Sequence, residues 1–170
     1  MRVLSPLFAM AIAAVFLAAC AAPTPPAKPG FYQSLARSGA VIDAPAALSM
    51  INAYRQNKGL GPLELDAGLT AIAEKEARAM AAADRVSHAN DRGNSLVDRL
   101  AAAGYAHGDA SENVSAGYHT FAEAFSGWRD SRPHNATMLN ANATRMGIAT
   151  AYAPASKYHV FWSLIVAEPR

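Results

Sequence analysis

From Asp43 onward the apolar residues recur with a helical period, and toward the C-terminus that period gives way to strand-like runs. Asp43 before Ala44-Pro45 predicts an N-cap with proline in the first turn. Leu48, Ile51 and Tyr54 then share one face of a helix running toward Asn57, which Gly59 and Gly61-Pro62 end. Asp66 caps a second helix reaching about Ala83, with Leu69, Ile72, Ala73, Glu76 and Met80 mostly a core stripe. Ser95-x-x-Asp98 opens a third, shorter helix that Gly104 stops, and Thr120-x-x-Glu123 opens a fourth, through Phe125 and Trp128 to about Ser131. Pro133 forces the residue before it out of helical geometry.

Strand character is concentrated late. Arg145 to Tyr152 and Tyr158 to Ala167 are rich in Ile, Val, Phe, Trp and Tyr, with Ala153-Pro154-Ala155-Ser156 as the turn between them. A shorter strand is expected from Glu112 to Tyr118. Helices first and strands late, without regular alternation, predict an α+β fold with helices on an antiparallel sheet. No Gly-rich phosphate motif is present, so a nucleotide-binding doubly wound fold is disfavoured.

The first residues follow a different pattern. Arg2 precedes an apolar run from Val3 to Ala19 that fits a secretory signal, and the run ends in Leu17-Ala18-Ala19-Cys20, which resembles a bacterial lipobox. The expected organisation is a signal over 1–19, a lipidated Cys20 with a Pro-rich linker and lead-in over 20–42, and one domain over 43–170. Pro23, Pro25, Pro26 and Pro29 make the linker an extended spacer. Acyl chains on Cys20 would make the membrane a partner. The alanines after Cys20 resemble outer-membrane sorting in Gram-negative lipoproteins, which places the chain in the cell envelope.

Composition narrows the picture further. Cys20 is the only cysteine, so no internal disulfide is available and a hydrophobic core has to supply stability. A formal net charge of +2, with no basic run interleaved with aromatics, disfavours nucleic acid as a partner.

Chemistry gathers in four short signatures: Ser87-His88, Glu112-Asn113-Val114, Trp128-x-x-Ser131 and Pro133-His134-Asn135. Taken singly, each has a plain structural reading. His88 lies in a polar loop, Glu112 can cap amides or pair with an arginine, and Trp128 is apolar mass on a helix face. Asn52 and Arg55, one turn apart, suit a surface or helix-to-loop hydrogen bond. His107, His119 and His159 have no comparable neighbourhood and read as structural or exposed. A serine nucleophile at Ser87 or Ser131 would need a histidine within about 3 Å.

Order and spacing add weight. The series Asn52-x-x-Arg55, Gly59-Leu60-x-Pro62-Leu63, His88, Gly104-Tyr105, Glu112-Asn113-Val114, Trp128-x-x-Ser131-x-x-His134, Met146-Gly147-Ile148-Ala149 and Trp162 resembles the CAP superfamily. That superfamily groups cysteine-rich secretory, antigen-five and pathogenesis-related proteins, and this chain is most similar to its bacterial, SCP-like branch. The resemblance implies an α-β-α sandwich, a short antiparallel sheet between helical layers, with a large cleft. It also implies two histidines and two acids in that cleft. By motif His88, Glu112 and His134 take three of these places, and the fourth, usually acidic, is Ser131. Ser131, Asn113 and Asn135 are expected to line the cleft.

Three functions stay open on these residues. The first is a binding module for a lipid, peptide or envelope ligand, which the resemblance favours. The second is a hydrolase in which His88, Glu112 and His134 hold zinc or another divalent metal with an open fourth position and act catalytically. The third is a structural role for the His/Glu cluster as a stabilising network.

Overall fold

A computed structural model describes residues 28–88 and 94–170, so Cys20 and the signal segment lie outside the described residues. The helices are α1 (Ala44–Gln56), α2 (Ala67–Ala83), α3 (Leu96–Ala102), α4 (Phe121–Asp130) and α5 (Arg132–Met138). The strands are β1 (Glu64–Leu65), β2 (His107–Ala116), β3 (Arg145–Ala153) and β4 (His159–Pro169).

The caps act as the side-chain chemistry dictates. Asp43 accepts from the Ala46 amide at 2.9 Å, and Asp66 accepts from Leu69 at 2.9 Å. Ser95 with Asp98, and Thr120 with Glu123, form complete capping boxes. Gly104 follows α3 at φ +66°, a conformation open to glycine at no steric cost.

The strands form one sheet in the order β1-β3-β4-β2. Both long pairings are antiparallel as expected, with β4 central between β3 and β2. The short β1 runs parallel to β3, pairing Glu64 with Arg145 and Leu65 with Met146, so the sheet is mixed. β1 has no hydrophobic pattern because both of its residues are exposed. Strand β2 starts five residues before the expected Glu112, in the polar stretch from His107.

Side chains alternate across the sheet, and the central strand β4 shows it most plainly. Trp162, Leu164 and Val166 join Ile51 of α1, Phe121 and Trp128 of α4 and Met138 in one core. Ile165 and Ala167 point the other way, to Leu69, Ile72 and Ala73 of α2 and Leu100 of α3. This is the α-β-α sandwich. Gly147 lets α2 approach the sheet: a Cβ there would lie 2.2 Å from the Leu69 and Thr70 backbone.

Two segments depart from the sequence expectation. Pro133 does not end helical structure but begins it, occupying the second position of α5, where a missing N–H is harmless. The lead-in before α1 packs on the domain: Leu35 is buried, its amide donates to the His119 carbonyl at 2.7 Å, and Phe31, Ala36 and Ile42 cover the α1 side of the core.

Candidate functional site

Strand β2 is an outer strand of the sheet, and the candidate site is built around its middle. Glu112 and Asn113 are neighbours in the chain and therefore point to opposite faces. Glu112 turns toward the α2/α3 layer. Its Oε2 accepts a 2.6 Å charge-assisted bond from Arg99 Nη2 of α3, and its Oε1 lies 3.3 Å from His88 Nδ1. Arg99 Nη1 in turn stands 3.4 Å from Oε2 of Glu76 on α2. The side chains of Glu76, Arg99 and Glu112 are 4 %, 7 % and 5 % exposed, whereas that of His88 is 62 % exposed. The cluster is thus a chain of charges, Glu76–Arg99–Glu112–His88, running from the protein interior to its surface.

Asn113 turns toward α5. Its side chain is fully buried and Nδ2 donates to the His134 carbonyl at 2.9 Å. Thr137 Oγ1 donates to the Glu112 carbonyl at 3.3 Å, so α5 is pinned to β2 by two bonds on either side of the same peptide. These bonds bring His134 to the site, at the third position of α5.

The electrostatics follow from this placement. Donation from its ring N–H to the Glu112 carboxylate raises the pKa of His88 above the usual histidine value, with burial opposing it. Burial lowers the pKa of His134, and the charge on His88 lowers it further. The two imidazoles are therefore biased to opposite protonation states. Burial raises the pKa of Glu76, the Arg99 guanidinium opposes that shift, and the Glu112 charge adds to it.

The structure puts His88 and Glu112 in contact, and it places His134 on α5 next to β2 through its carbonyl's bond to Asn113. Ser131 sits at the joint between α4 and α5, half-buried, and makes no side-chain capping bond. Asn135 faces α1, its Oδ1 accepting from Tyr54 Oη at 3.0 Å, and Asn113 supports α5 from within the core. Trp128 is fully buried and donates through Nε1 to Ser115 Oγ at 3.1 Å, a scaffold role. Asn52 makes the expected helix-to-loop bonds, exchanging donors and acceptors with the Leu63 backbone at 2.9 and 2.8 Å. His107 bonds its neighbour's carbonyl, while the His119 and His159 rings stand 5.9 Å apart.

Glu76 and Arg99 carry no motif and are absent from the sequence-based candidates. Glu76 lies on a core stripe, and an acid at a core position is itself the available signal, since a buried charge needs a partner.

The donor set does not fit the three-ligand metal centre that the motif alone suggests. Among the described residues no group of three or more His, Cys, Asp or Glu side chains is arranged to hold a metal ion. Of the two Glu112 oxygens, Oε2 is committed to Arg99, while Oε1 faces His88, itself one of the three motif residues.

With this geometry in place, comparison with known proteins decides the family. The model of the cysteine-rich secretory protein family, CAP, matches residues 48–166. The chain belongs to the CAP family. Among curated relatives, it is 30 % identical over 101 residues to the uncharacterized protein YkwD of Bacillus subtilis, covering 59 % of this chain and 39 % of that protein. It is equally similar to the uncharacterized membrane protein YlbC of the same organism, of which it covers 29 %. The chain thus spans well under half of either relative. In structure, the CAP domain resembles an outer surface protein of Borrelia burgdorferi, with a TM-score of 0.67 at 17 % identity over 78 % of this chain and 99 % of that one. It also resembles an extracellular SCP-domain protein of Bacillus anthracis, with a TM-score of 0.62 at 23 % identity over 71 % of this chain and 38 % of that one.

Proposed function

We propose that this CAP-family chain is an envelope-anchored binding module that holds a lipid, peptide or other envelope ligand at the His88–His134 cleft. One observation carries the reading. Glu112 is fully engaged inside the protein, bonded to Arg99 at 2.6 Å and facing His88 at 3.3 Å, while the His88 ring it orients is exposed. A carboxylate used this way fixes an imidazole and its tautomer. The outcome is an oriented, proton-rich ring at the surface, suited to an acceptor group such as a carboxylate or phosphate. Beside it His134, biased to neutrality, offers a second, differently disposed imidazole. This reading is favoured over the zinc-hydrolase one because Glu112 Oε2 is committed to Arg99 and, among the described residues, no group of three His, Cys, Asp or Glu side chains is arranged to hold a metal ion.

Anchoring is supported by Leu17-Ala18-Ala19-Cys20 and by what the relatives are called: a membrane protein, an extracellular protein and an outer surface protein. Cys20→Ala is expected to abolish incorporation of a labelled fatty acid and to move the protein out of the membrane fraction.

The ligand reading is tested by mass analysis of small molecules and lipids co-purifying with the full chain from detergent extracts. His88→Ala and His134→Ala are expected to reduce what is captured while leaving the protein folded. Unchanged capture by both variants removes the cleft from the account, and lowered stability with unchanged capture makes the cluster a stabilising network.

A further inference from the structure

The outer faces of α1 and α2 differ in kind. α2 turns Glu74, Lys75 and Arg78 to solvent, as a helix on the surface of a water-soluble layer is expected to. Over Ala44–Gln56 the only charged residue of α1 is Arg55, which is buried, and the exposed positions are Pro45, Ser49, Ala53 and Gln56. Two shallow grooves border this face and share Ser49 and Ala53. One, of about 410 Å³, lies between α1 and the 3₁₀ turn Gly30–Tyr32, with Phe31 and Met50 in its lining. The other, of about 670 Å³, extends to Leu60 and Pro62. No residue lining either groove is ionisable. Beside them Tyr32 is 55 % exposed, its ring 4.7 Å from that of Phe31.

The length of the tether indicates what this face meets. Pro29 and Gly30, where the chain enters the domain, form one wall of the first groove, and Gly30 packs directly on Asp43, the cap of α1. Cys20 is eight residues before Lys28, a reach of at most roughly 29 Å. A domain of this size is wider than that, roughly 37 Å across. With an anchor on Cys20, Lys28 cannot therefore lie on the side of the domain remote from the membrane.

We propose that α1 and the turn Gly30–Tyr32 form the face on which the domain rests against the bilayer holding its anchor, with Phe31, Tyr32 and Met50 at the lipid interface. The inference rests on the anchoring reading given above. A face without charges avoids the cost of desolvating one, and an exposed tyrosine beside an apolar ring suits the headgroup level. The contact needs little affinity of its own, because a short tether holds it at an effective concentration on the order of millimolar. Docking also aims the cleft. α1 and the α2/α3 layer lie on opposite faces of the sheet, so Glu76, Arg99 and the Glu112 carboxylate turn away from the membrane.

The test uses the full chain, lipidated in cells and reconstituted into vesicles of phosphatidylethanolamine and phosphatidylglycerol. A fluorophore is attached through Ala53→Cys or, on the opposite layer, through Lys75→Cys; with Cys20 acylated, the introduced thiol is the only free one. Spin-labelled lipid is expected to quench the Ala53 label severalfold more than the Lys75 label, with Ala53 within about 5–10 Å of the headgroup boundary. Tyr32→Glu/Ser49→Glu, both at exposed positions, is expected to abolish the difference while the protein stays with the vesicles. Equal quenching at the two positions in vesicle-bound protein overturns the proposal and leaves the anchor standing, whereas protein that leaves the vesicles overturns both. In the Cys20→Ala chain the Ala53 label is expected to report water. A label already shielded there, by a second copy or by residues 21–27, assigns the face to that occupant and overturns the proposal as well.

Discussion

Arg55 and Arg99 are both buried, one in each half of the sandwich, and they are buried in opposite ways. Arg55, 1 % exposed on the α1 side, donates to four backbone carbonyls: Gly61 at 2.8 Å, Met138 at 2.9 Å, Asn140 at 2.8 Å and Ala143 at 3.2 Å. Burial lowers its pKa, but the carbonyl dipoles satisfy the guanidinium without a carboxylate. It ties the loop after α1 to the segment between α5 and β3, and so holds α5 in place. The indole N–H groups nearby are equally well provided for, Trp128 on Ser115 and Trp162 on the Tyr118 carbonyl at 2.8 Å. Arg99, on the α2/α3 side, instead has, among the described residues, one short bond, one longer ion pair, and two nitrogens, Nε and Nη1, that make no hydrogen bond. A fully satisfied buried polar network rigidifies and specifies a core, whereas each unpaired polar atom in a partly satisfied one carries a desolvation cost. The α1/α4 half is mostly scaffold, though its α5 carries His134, and the α2/α3 half holds the ionic cluster Glu76–Arg99–Glu112.

The largest effects expected from this contrast are on stability at the two arginines. Arg55→Met leaves four carbonyls without their donor and should cost about 3–5 kcal/mol in urea unfolding. Arg99→Met should also cost about 3–5 kcal/mol, because loss of the cation strands two buried carboxylates. Glu76→Gln in the Arg99→Met background should recover part of that loss, and the double-mutant coupling should be on the order of 1–3 kcal/mol. An Arg99→Met cost that does not couple to Glu76 would erase the distinction between the halves. Trp128→Phe should cost about 1–2 kcal/mol by leaving the buried Ser115 hydroxyl unpaired, without affecting anything captured at His88.

The smallest effect is in the pH dependence of stability. His88 has a raised folded-state pKa, so its contribution is fully present below its unfolded value of about 6.5 and is lost as pH rises through the folded value. His134 has a lowered pKa, so the folded state resists its protonation and loses stability as pH falls below about 6.5. His88→Gln should therefore destabilise more at about pH 5.5 than at about pH 8.5, and His134→Gln should relieve part of the acid destabilisation. Denaturant midpoints measured across that range check both signs.

Much of the scaffold is legible in the sequence because local chemistry decides it. Asp43, Asp66, Ser95 and Thr120 each mark a helix start by side-chain type, and the apolar runs from Arg145 to Tyr152 and from Tyr158 to Ala167 mark the strands Arg145–Ala153 and His159–Pro169 to within two residues. The misses have equally local causes. β1 is two exposed residues held by pairing with β3, so no periodicity reveals it. α5 is hidden because a proline that forbids a helix interior suits its second position. The site is legible in part: His88, Glu112 and His134 carry motifs, whereas Glu76 and Arg99 become partners only when α2 and α3 fold over β2. Nothing along the chain links residues 76, 99 and 112, and it is that juxtaposition which commits Glu112 to the protein interior.

The commitment of Glu112 to Arg99 and His88 is the centre of this picture. It is tested most directly by following the imidazole proton resonances against pH by nuclear magnetic resonance, in wild type and in Glu112→Gln. His88 is expected to titrate above, and His134 below, the usual histidine value of about 6.5, and the His88 shift is expected to collapse when Glu112 is neutralised. A His88 that titrates at or below that value in the wild type, or that ignores the loss of Glu112, would contradict it.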